Sequence, residues 1–474
     1  MIGRFREIHR LDQCMRSEEA QLIAVYGRRR VGKTYLINHF FNGRFDFKVT
    51  GLFDQSKEVQ LHNFITELNA QSQESHPAPT NWRDAFGMLK EYLSVRLKSD
   101  EKVVVFFDEM PWMDTQKSGF ISAFEWFWNG WGSSQKSLVV IACGSAASWM
   151  KRNIDQNKGG LYNRLTARIY LNPFTLKETE QYLDEKGIIW SRYDIVECYM
   201  IMGGIPYYLS KLSPELSYTA NIDNLFFRKR AELWDEYTFL YDSLFKNSLN
   251  HKRIAEALSE KRSGLTREEI KAKIRMPENG ALSDMLDDME YSGLIRINDI
   301  YGKRKKVYQL SDYYSMFYYR FLKDQYGKDE HYWTNTIDNP VRRSWAGLTF
   351  ESVCKDHIEQ IKRKLGISGV LSTVSVWSNN ADEKNDGAQI DMLIDRRDRV
   401  INVCEIKYSI GEYEIDRDNE MKLRKKIDIF RNMTKTKSAL QLTMITTYGV
   451  LSNKHSSIVA NQVTMDDLFT DEPK

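Results

Sequence analysis

The spacing of apolar and polar positions changes several times along this chain, and each change predicts an element. Leu22 to Tyr26 is an unbroken apolar run, followed by a glycine-rich turn and a helical stretch from Tyr35 to Phe41. Continuous apolar runs of this length suit strands covered on both faces, as in parallel sheets. Similar runs at Phe45 to Gly51, Lys102 to Phe107, Leu138 to Cys143 and Ile169 to Leu171 predict further strands. Helical spacing fills Glu58 to Asn69, Trp82 to Val95 and Leu176 to Met202, with a polar, proline-containing loop at Ala70 to Asn81. Gly203-Gly204-Ile205-Pro206 ends one helix and starts the next. Strands alternating with helices predict an α/β domain over residues 1–215.

The pattern then becomes helical. Asn221 to Asn247 is rich in aromatics at helix-like spacing, which reads as core or interdomain packing. Helices at His251 to Leu258, Arg267 to Ile274 (then a loop with Pro277) and Leu282 to Tyr291 precede strands at Leu294 to Ile297 and Val307 to Leu310. This is the outline of a winged helix, whose third helix would enter a DNA major groove. Here that helix carries Asp284, Asp287, Asp288 and Glu290, which phosphates would repel. The basic run Lys303-Arg304-Lys305-Lys306 is the one DNA-compatible feature, so residues 216–340 read as a domain that packs or transmits. From 341 to 474 the order is helix (Arg342 to Ile361), strand (Leu371 to Trp377), polar loop (Ser378 to Asp386), strands (Gln389 to Ile394, Val400 to Lys407), charged helix (Asp416 to Asn432) and strand (Leu442 to Thr446).

Composition narrows the class. A hydrophobic content of 42% and a charged content of 28% describe an ordinary globular protein. A net charge of +3 is too small to argue by itself for a nucleic-acid partner. The five cysteines are scattered without any C-x-x-C, which suggests neither a disulfide framework nor a zinc cluster. The opening residues lack an apolar signal-like region, and no run approaches ~18 apolar residues. A cytoplasmic protein without a membrane partner is expected.

The turn after the first strand reads Gly27-Arg28-Arg29-Arg30-Val31-Gly32-Lys33-Thr34, the spacing G-x-x-x-x-G-K-[ST]. Glycines let the backbone curl so that its N–H groups face a phosphate chain. Lys33 would place a charge on the β/γ-phosphates, and Thr34 would offer a hydroxyl to Mg²⁺. The helix opening at Tyr35 points its positive end at the same anion. The candidate ATP-binding set is Gly27, Arg28, Arg29, Arg30, Val31, Gly32, Lys33, Thr34 and Tyr35. Gly3 and Arg4 join it from the position where many ATPases touch adenine. The strand Lys102 to Phe107 ends in Asp108-Glu109, at the edge where open α/β sheets hold ligands. Asp108 is expected in the Mg²⁺ shell and Glu109 as the group that polarises attacking water. Ser145, at the tip of the strand after it, would feel the γ-phosphate. Arg164 is a candidate arginine finger supplied by a neighbouring copy, which would require a homo-oligomer.

The last domain holds a second constellation. Period two puts Glu405 and Lys407 on one face of a strand, and a hairpin can bring Asp391 beside Glu405. Glu351 is available from the preceding helix. Carboxylates would bind Mg²⁺ or Mn²⁺ and acidify its water, while the lysine orients the nucleophile or offsets phosphate charge. Such residues also occur on merely solvated strand edges.

Taken together, Gly3-Arg4, GRRRVGKT, FFDEMPWM, CGSAASWM, LYNRLTARIYLNPF and GGIPYYL resemble the prokaryotic P-loop ATPases allied to the AAA+ and STAND groups. The resemblance covers most of residues 1–320. It implies an ASCE-type parallel sheet with the P-loop strand near its centre, and a helical lid closing over nucleotide. Members often carry a C-terminal nuclease-like domain. Residues 345–450 resemble the PD-(D/E)XK nuclease fold. An ATPase controlling metal-dependent cleavage of nucleic acid, in genome defence, is the function this implies. A nucleotide-dependent switch or scaffold with a non-cleaving last domain, or a winged-helix DNA-binding regulator, are the alternatives.

Overall fold

The computed structural model describes residues 1–98, 101–156, 159–161, 163–245, 247–276, 280–325, 329–379 and 387–471. Pro277 and most of the predicted loop Ser378 to Asp386 lie outside the described residues.

The first sheet contains β1 (Gln21–Gly27), β2 (Phe47–Thr50), β3 (Val103–Asp108), β4 (Leu138–Gly144) and β5 (Ala167–Leu171). All neighbouring strands are parallel, in the order β2-β3-β4-β1-β5. Every residue of β1, β3 and β4 is buried, as their unbroken apolar runs predict, because helices cover both faces. Alternate residues feed separate cores. Ile23, Val25, Phe106 and Ile141 pack toward the lid side, whereas Leu22, Ala24, Phe107 and Val140 pack toward the other. The helix Phe120–Gly130, which the sequence reading passed over, fills that second face with Phe120, Phe124, Phe127 and Trp128. The P-loop strand lies fourth of five, flanked by β4 and β5.

The helical stretch from Leu176 to Met202 is two helices, Leu176–Glu185 and Arg192–Met202. Thr175 and Glu178 cap the first reciprocally, and left-handed Gly203 ends the second. Gly204 must also be glycine. Its φ is 62°, and a Cβ there would stand 2.2 Å from the Phe174 carbonyl.

In the middle region, helices Ser248–Glu260, Arg267–Ile274 and Ala281–Tyr291 precede an antiparallel hairpin of β6 (Ile295–Asp299) and β7 (Lys306–Leu310). A bridge between Leu265 and Tyr308 ties the hairpin to the turn before Arg267–Ile274. The acidic helix Ala281–Tyr291 lies against Ala147–Met150 of the first domain. Asp288 pairs with Arg152, and Tyr170 Oη donates to the Tyr291 carbonyl at 3.3 Å. Of its four acids Asp288 thus serves packing, whereas Asp284 and Asp287 are exposed. The aromatic stretch is chiefly core, with Phe226, Phe227, Tyr241 and Phe245 buried and Phe239 exposed.

The last sheet joins β8 (Ser372–Asn379), β9 (Ala388–Arg396), β10 (Val400–Lys407), β11 (Ala439–Thr446) and β12 (Asn461–Thr464), in the order β12-β11-β10-β9-β8. The β8–β9 and β9–β10 pairs are antiparallel, whereas β10–β11 and β11–β12 are parallel. The expected helix Arg342 to Ile361 breaks at His357 into Pro340–Asp356 and Ile358–Lys364. His357 serves a tertiary contact there, with Nε2 accepting from the Leu176 N–H at 2.9 Å. The edge strand β12 is short and polar, and periodicity did not reveal it.

Candidate functional site

The P-loop leaves β1 at Gly27, whose φ of 143° and 2.4 Å clearance to the Leu171 carbonyl admit no side chain. The loop closes onto the helix Lys33–Phe40 through Gly32, at φ 92°. Lys33 Nζ donates to the carbonyls of Gly27 and Arg28 at 3.1 and 2.9 Å, which holds the ammonium over the loop. Burial draws its pKa down, opposed by Cys143, Glu109 and Asp108. Thr34 Oγ1 lies 3.1 and 3.0 Å from the two Asp108 oxygens. Burial, then the neighbouring Glu109 charge, pushes the Asp108 carboxyl above its ordinary value. Glu109 has a left-handed backbone, φ 44°, and its Oε2 accepts from Ser145 N at 3.1 Å and Ser145 Oγ at 2.8 Å. Residues from β1, β3 and β4 therefore meet at one sheet edge.

A cleft of about 520 Å³ opens beside this cluster. Arg4, Arg29, Arg30, Val31, Gly32, Lys33, Thr34, Tyr35 and Glu109 line it, with Phe174, Tyr182 and Tyr207 from the lid side. Arg4 reaches it in a left-handed conformation, its guanidinium donating to the Asn172 and Val31 carbonyls at 2.8 and 3.1 Å. Gly3 is set apart from that lining. Its position is fixed by Glu178, whose Oε1 would lie 2.2 Å from an added Cβ. Tyr207 stacks under Arg30 with its ring centroid 4.2 Å from the guanidinium carbon.

Arg28 needs a correction. Its side chain is 4% exposed and turns away from the cleft to pair with Asp312 of the middle region. The motif fixes the direction of the loop's backbone groups but not that of its variable side chains. Arg30 likewise pairs with Glu236, whose Oε1 also accepts from Tyr208 Oη at 2.6 Å. Arg164 is exposed in the turn before β5, outside the lining of its own chain's cleft.

In the last domain, the β9–β10 register pairs Cys404 with Met392, so the next step sets Glu405 opposite Asp391. Glu405 Oε1 and Oε2 accept from Lys407 and Lys426 at 2.9 and 2.6 Å. Burial pushes its carboxyl up, but Lys426 and Lys407 more than offset this and leave it below the ordinary value. Asp391 Oδ1 accepts from Gln389 Nε2 at 2.8 Å. Glu351 enters from the helix Pro340–Asp356. Burial, reinforced by Asp391 and Glu405 and opposed by Lys355 and Lys407, pushes its carboxyl up to about 7. Among the described residues no three His, Cys, Asp or Glu side chains are grouped as a metal-holding set. Glu351, Asp391 and Glu405 are electrostatic neighbours, but the Glu405 oxygens are taken by Lys407 and Lys426 and Asp391 Oδ1 by Gln389. Sequence reading missed Lys355 and Lys426. Lys355 was findable from its i,i+4 spacing to Glu351, whereas Lys426 comes from a separate helix.

Comparison with known proteins agrees with the first domain. An uncharacterised protein of Methanocaldococcus jannaschii is 23% identical over 389 residues, 81% of this chain and 82% of that one. A Walker-type ATPase of Pyrococcus abyssi superposes with a TM-score of 0.48 and 16% identity, covering 68% of this chain and 96% of its own. The ORC2 protein of Aeropyrum pernix gives a TM-score of 0.41 and 11% identity, over 73% and 95% of the two chains. Residues 1–212 match the model of an ATPase domain predominantly from Archaea. Among the described residues no helix is long and apolar enough to cross a membrane. Residues 1–212 are thus similar to an ATPase domain found predominantly in Archaea.

Proposed function

We propose that this chain hydrolyses ATP in its first domain and thereby governs a metal-dependent, nuclease-like last domain acting on nucleic acid. The observation that carries the first half is the meeting of Lys33, Thr34, Asp108, Glu109 and Ser145 at one sheet edge. The donor set fits Mg²⁺-ATP: a hydroxyl and a carboxylate converge where a hard cation takes oxygen ligands. Mg²⁺ supplies charge neutralisation on the phosphates when bound. Loop N–H groups and Lys33 would hold the β/γ-phosphates, Thr34 and Asp108 the cation, and Arg4 the adenine side. Glu109 would orient the attacking water and accept its proton, with Ser145 fixing the carboxylate's direction. Arg164, exposed ahead of β5, suits a finger reaching a second copy of the chain.

Support for the second half is the element order and the register that sets Asp391, Glu405 and Lys407 on one sheet face beneath Glu351. Mg²⁺ or Mn²⁺ there would require Glu405 to leave its lysines and Glu351 its proton. The engagement of Glu405 by Lys407 and Lys426 favours a second reading, a nucleotide-dependent switch whose last domain binds without cutting. The three-helix and hairpin middle region suits a winged-helix connector, with DNA contact confined to the exposed tip at 303–306. A place in genome defence, in the cytoplasm, follows from the pairing of these two activities.

The test is ATP turnover and Mg²⁺- or Mn²⁺-dependent cleavage of circular DNA, linear DNA and RNA by wild type, Lys33→Ala and Asp391→Ala. Lys33→Ala should abolish ATP turnover. Asp391→Ala should abolish cutting and leave ATPase activity intact. Intact substrates under both metals, with and without ATP, would reject the nuclease half.

A further inference from the structure

Between the middle region and the helix Pro340–Asp356 lies a second cavity, of about 390 Å³. Arg262 and Arg320 both line it, yet among the described residues neither has an ion pair with a carboxylate. Arg262 Nη1 donates to Thr349 Oγ1 at 3.1 Å, which aims the guanidinium along the cavity wall. Burial and the like charge of Arg320 push the Arg262 pKa down to about 10, with Glu351 opposing. The like charges of Arg262 and Arg320 repel, and an anion between them would relieve that repulsion. Trp345 is buried and gives the cavity an aromatic wall. Ser259 and Ser344 add hydroxyls to the lining, and its one carboxylate, Glu260, is paired with Lys273.

The cavity also has a direction. Arg262, Gln309 and Leu348 line it and, equally, the narrow pocket of Glu351, Lys355 and Asp391. Gln309 joins the two, its Nε2 donating to the Arg262 carbonyl at 2.7 Å and its Oε1 facing Lys355 Nζ at 3.5 Å. Arg262, Gln309 and Lys355 therefore lead continuously from the cavity to the carboxylate cluster.

We propose that Arg262 and Arg320 form a phosphate-binding pocket for the backbone of a nucleic-acid strand, seating one phosphodiester next to the one presented to Asp391 and Glu351. This rests on the reading of the last domain as one that engages nucleic acid, but not on its cutting. Arg262 is a positioning residue: it holds a flanking phosphate and does not touch the reacting atoms.

The experiment is fluorescence anisotropy of labelled DNA and RNA 20-mers on the full-length chain without divalent metal, across a salt series. It compares wild type, Arg262→Gln, Arg262→Lys, exposed Arg320→Gln and Asp391→Ala. Arg262→Gln and Arg320→Gln should each weaken binding about three- to tenfold and reduce the salt slope by about one charge. Arg262→Lys should recover part of the loss, and a wild-type thermal unfolding midpoint for Arg320→Gln is the check on folding. Affinity and slope unchanged in both Arg→Gln variants would overturn the pocket, whether or not the protein cuts. Loss of binding in those variants by a protein that cleaves nothing would reject the nuclease reading and keep the pocket. Inorganic phosphate is the second probe. If millimolar phosphate binds in an Arg262-dependent way while neither oligonucleotide binds, the site belongs to a free anion and the polynucleotide is overturned.

Discussion

The two acid-bearing sheet edges of this protein are built in opposite ways. At the first, a single turn and two strand tips deliver Lys33, Thr34, Asp108 and Glu109, and each meets a hydrogen-bonding neighbour. At the second, the helix Pro340–Asp356 and the β9–β10 hairpin deliver Glu351, Asp391 and Glu405, and the charges compete. Glu405 takes two lysines, while Glu351 keeps its proton up to about neutral pH. The first site is preorganised by backbone geometry. The second must reorganise before it can hold a cation, so its activity is the more conditional of the two.

The largest effect that would break this contrast lies in the first site. Glu109→Gln should lower kcat for ATP about 10²–10⁴-fold while nucleotide binding persists, read by steady-state turnover beside a nucleotide-binding titration. An unchanged kcat would mean that the Ser145-held carboxylate is not the proton acceptor. Next comes the loop's attachment. Arg28→Ala should destabilise the chain by about 3–5 kcal/mol in denaturant unfolding, because it strands the buried Asp312 carboxylate. The paired change Arg28→Met with Asp312→Leu should cost much less. The smallest effect concerns Glu351. Its folded pKa of about 7 lies above the ordinary 4.5, so between those values the unfolded chain is ionised while the folded chain retains its proton. Stability must therefore fall as pH rises through that window. Glu351→Gln should raise the metal-free Tm by a few degrees at pH 8 and leave it unchanged near pH 4.5. An equal shift at both values would show that burial, not charge, sets the environment.

The contrast also explains what could be read from the sequence. Gly27, Gly32, Lys33 and Thr34 were legible because phosphate chemistry dictates their spacing, and Asp108-Glu109 because a buried strand ends there. Ser145 followed from its place at the tip of β4. Arg28 was misread because three successive arginines look alike in one dimension, and only tertiary partners decide which way each turns. The break at His357 was hidden for the same reason, because an imidazole holding the Leu176 N–H is invisible to periodicity. The split between the two lid helices falls instead at left-handed Gly187 and the Ser191 cap, which the sequence did display. In the last domain β10 was legible to the residue, whereas the polar strand β12 and the grip of Lys426 on Glu405 depend on packing alone.

The pairing of Arg28 and Arg30 with acids of the middle region has a thermodynamic consequence. Residues adjoining the phosphate cradle are bonded to Asp312 and Glu236, so the loop and the middle region share one conformational equilibrium. If nucleotide favours one setting of those pairs, the same pairs must alter nucleotide affinity by an equal factor. A signal arriving at the middle region, such as a strand held near Arg262 on the helix side of β7, would then register as a change in ATP affinity. The arginines of the loop are where binding at one end of the molecule becomes accountable to binding at the other.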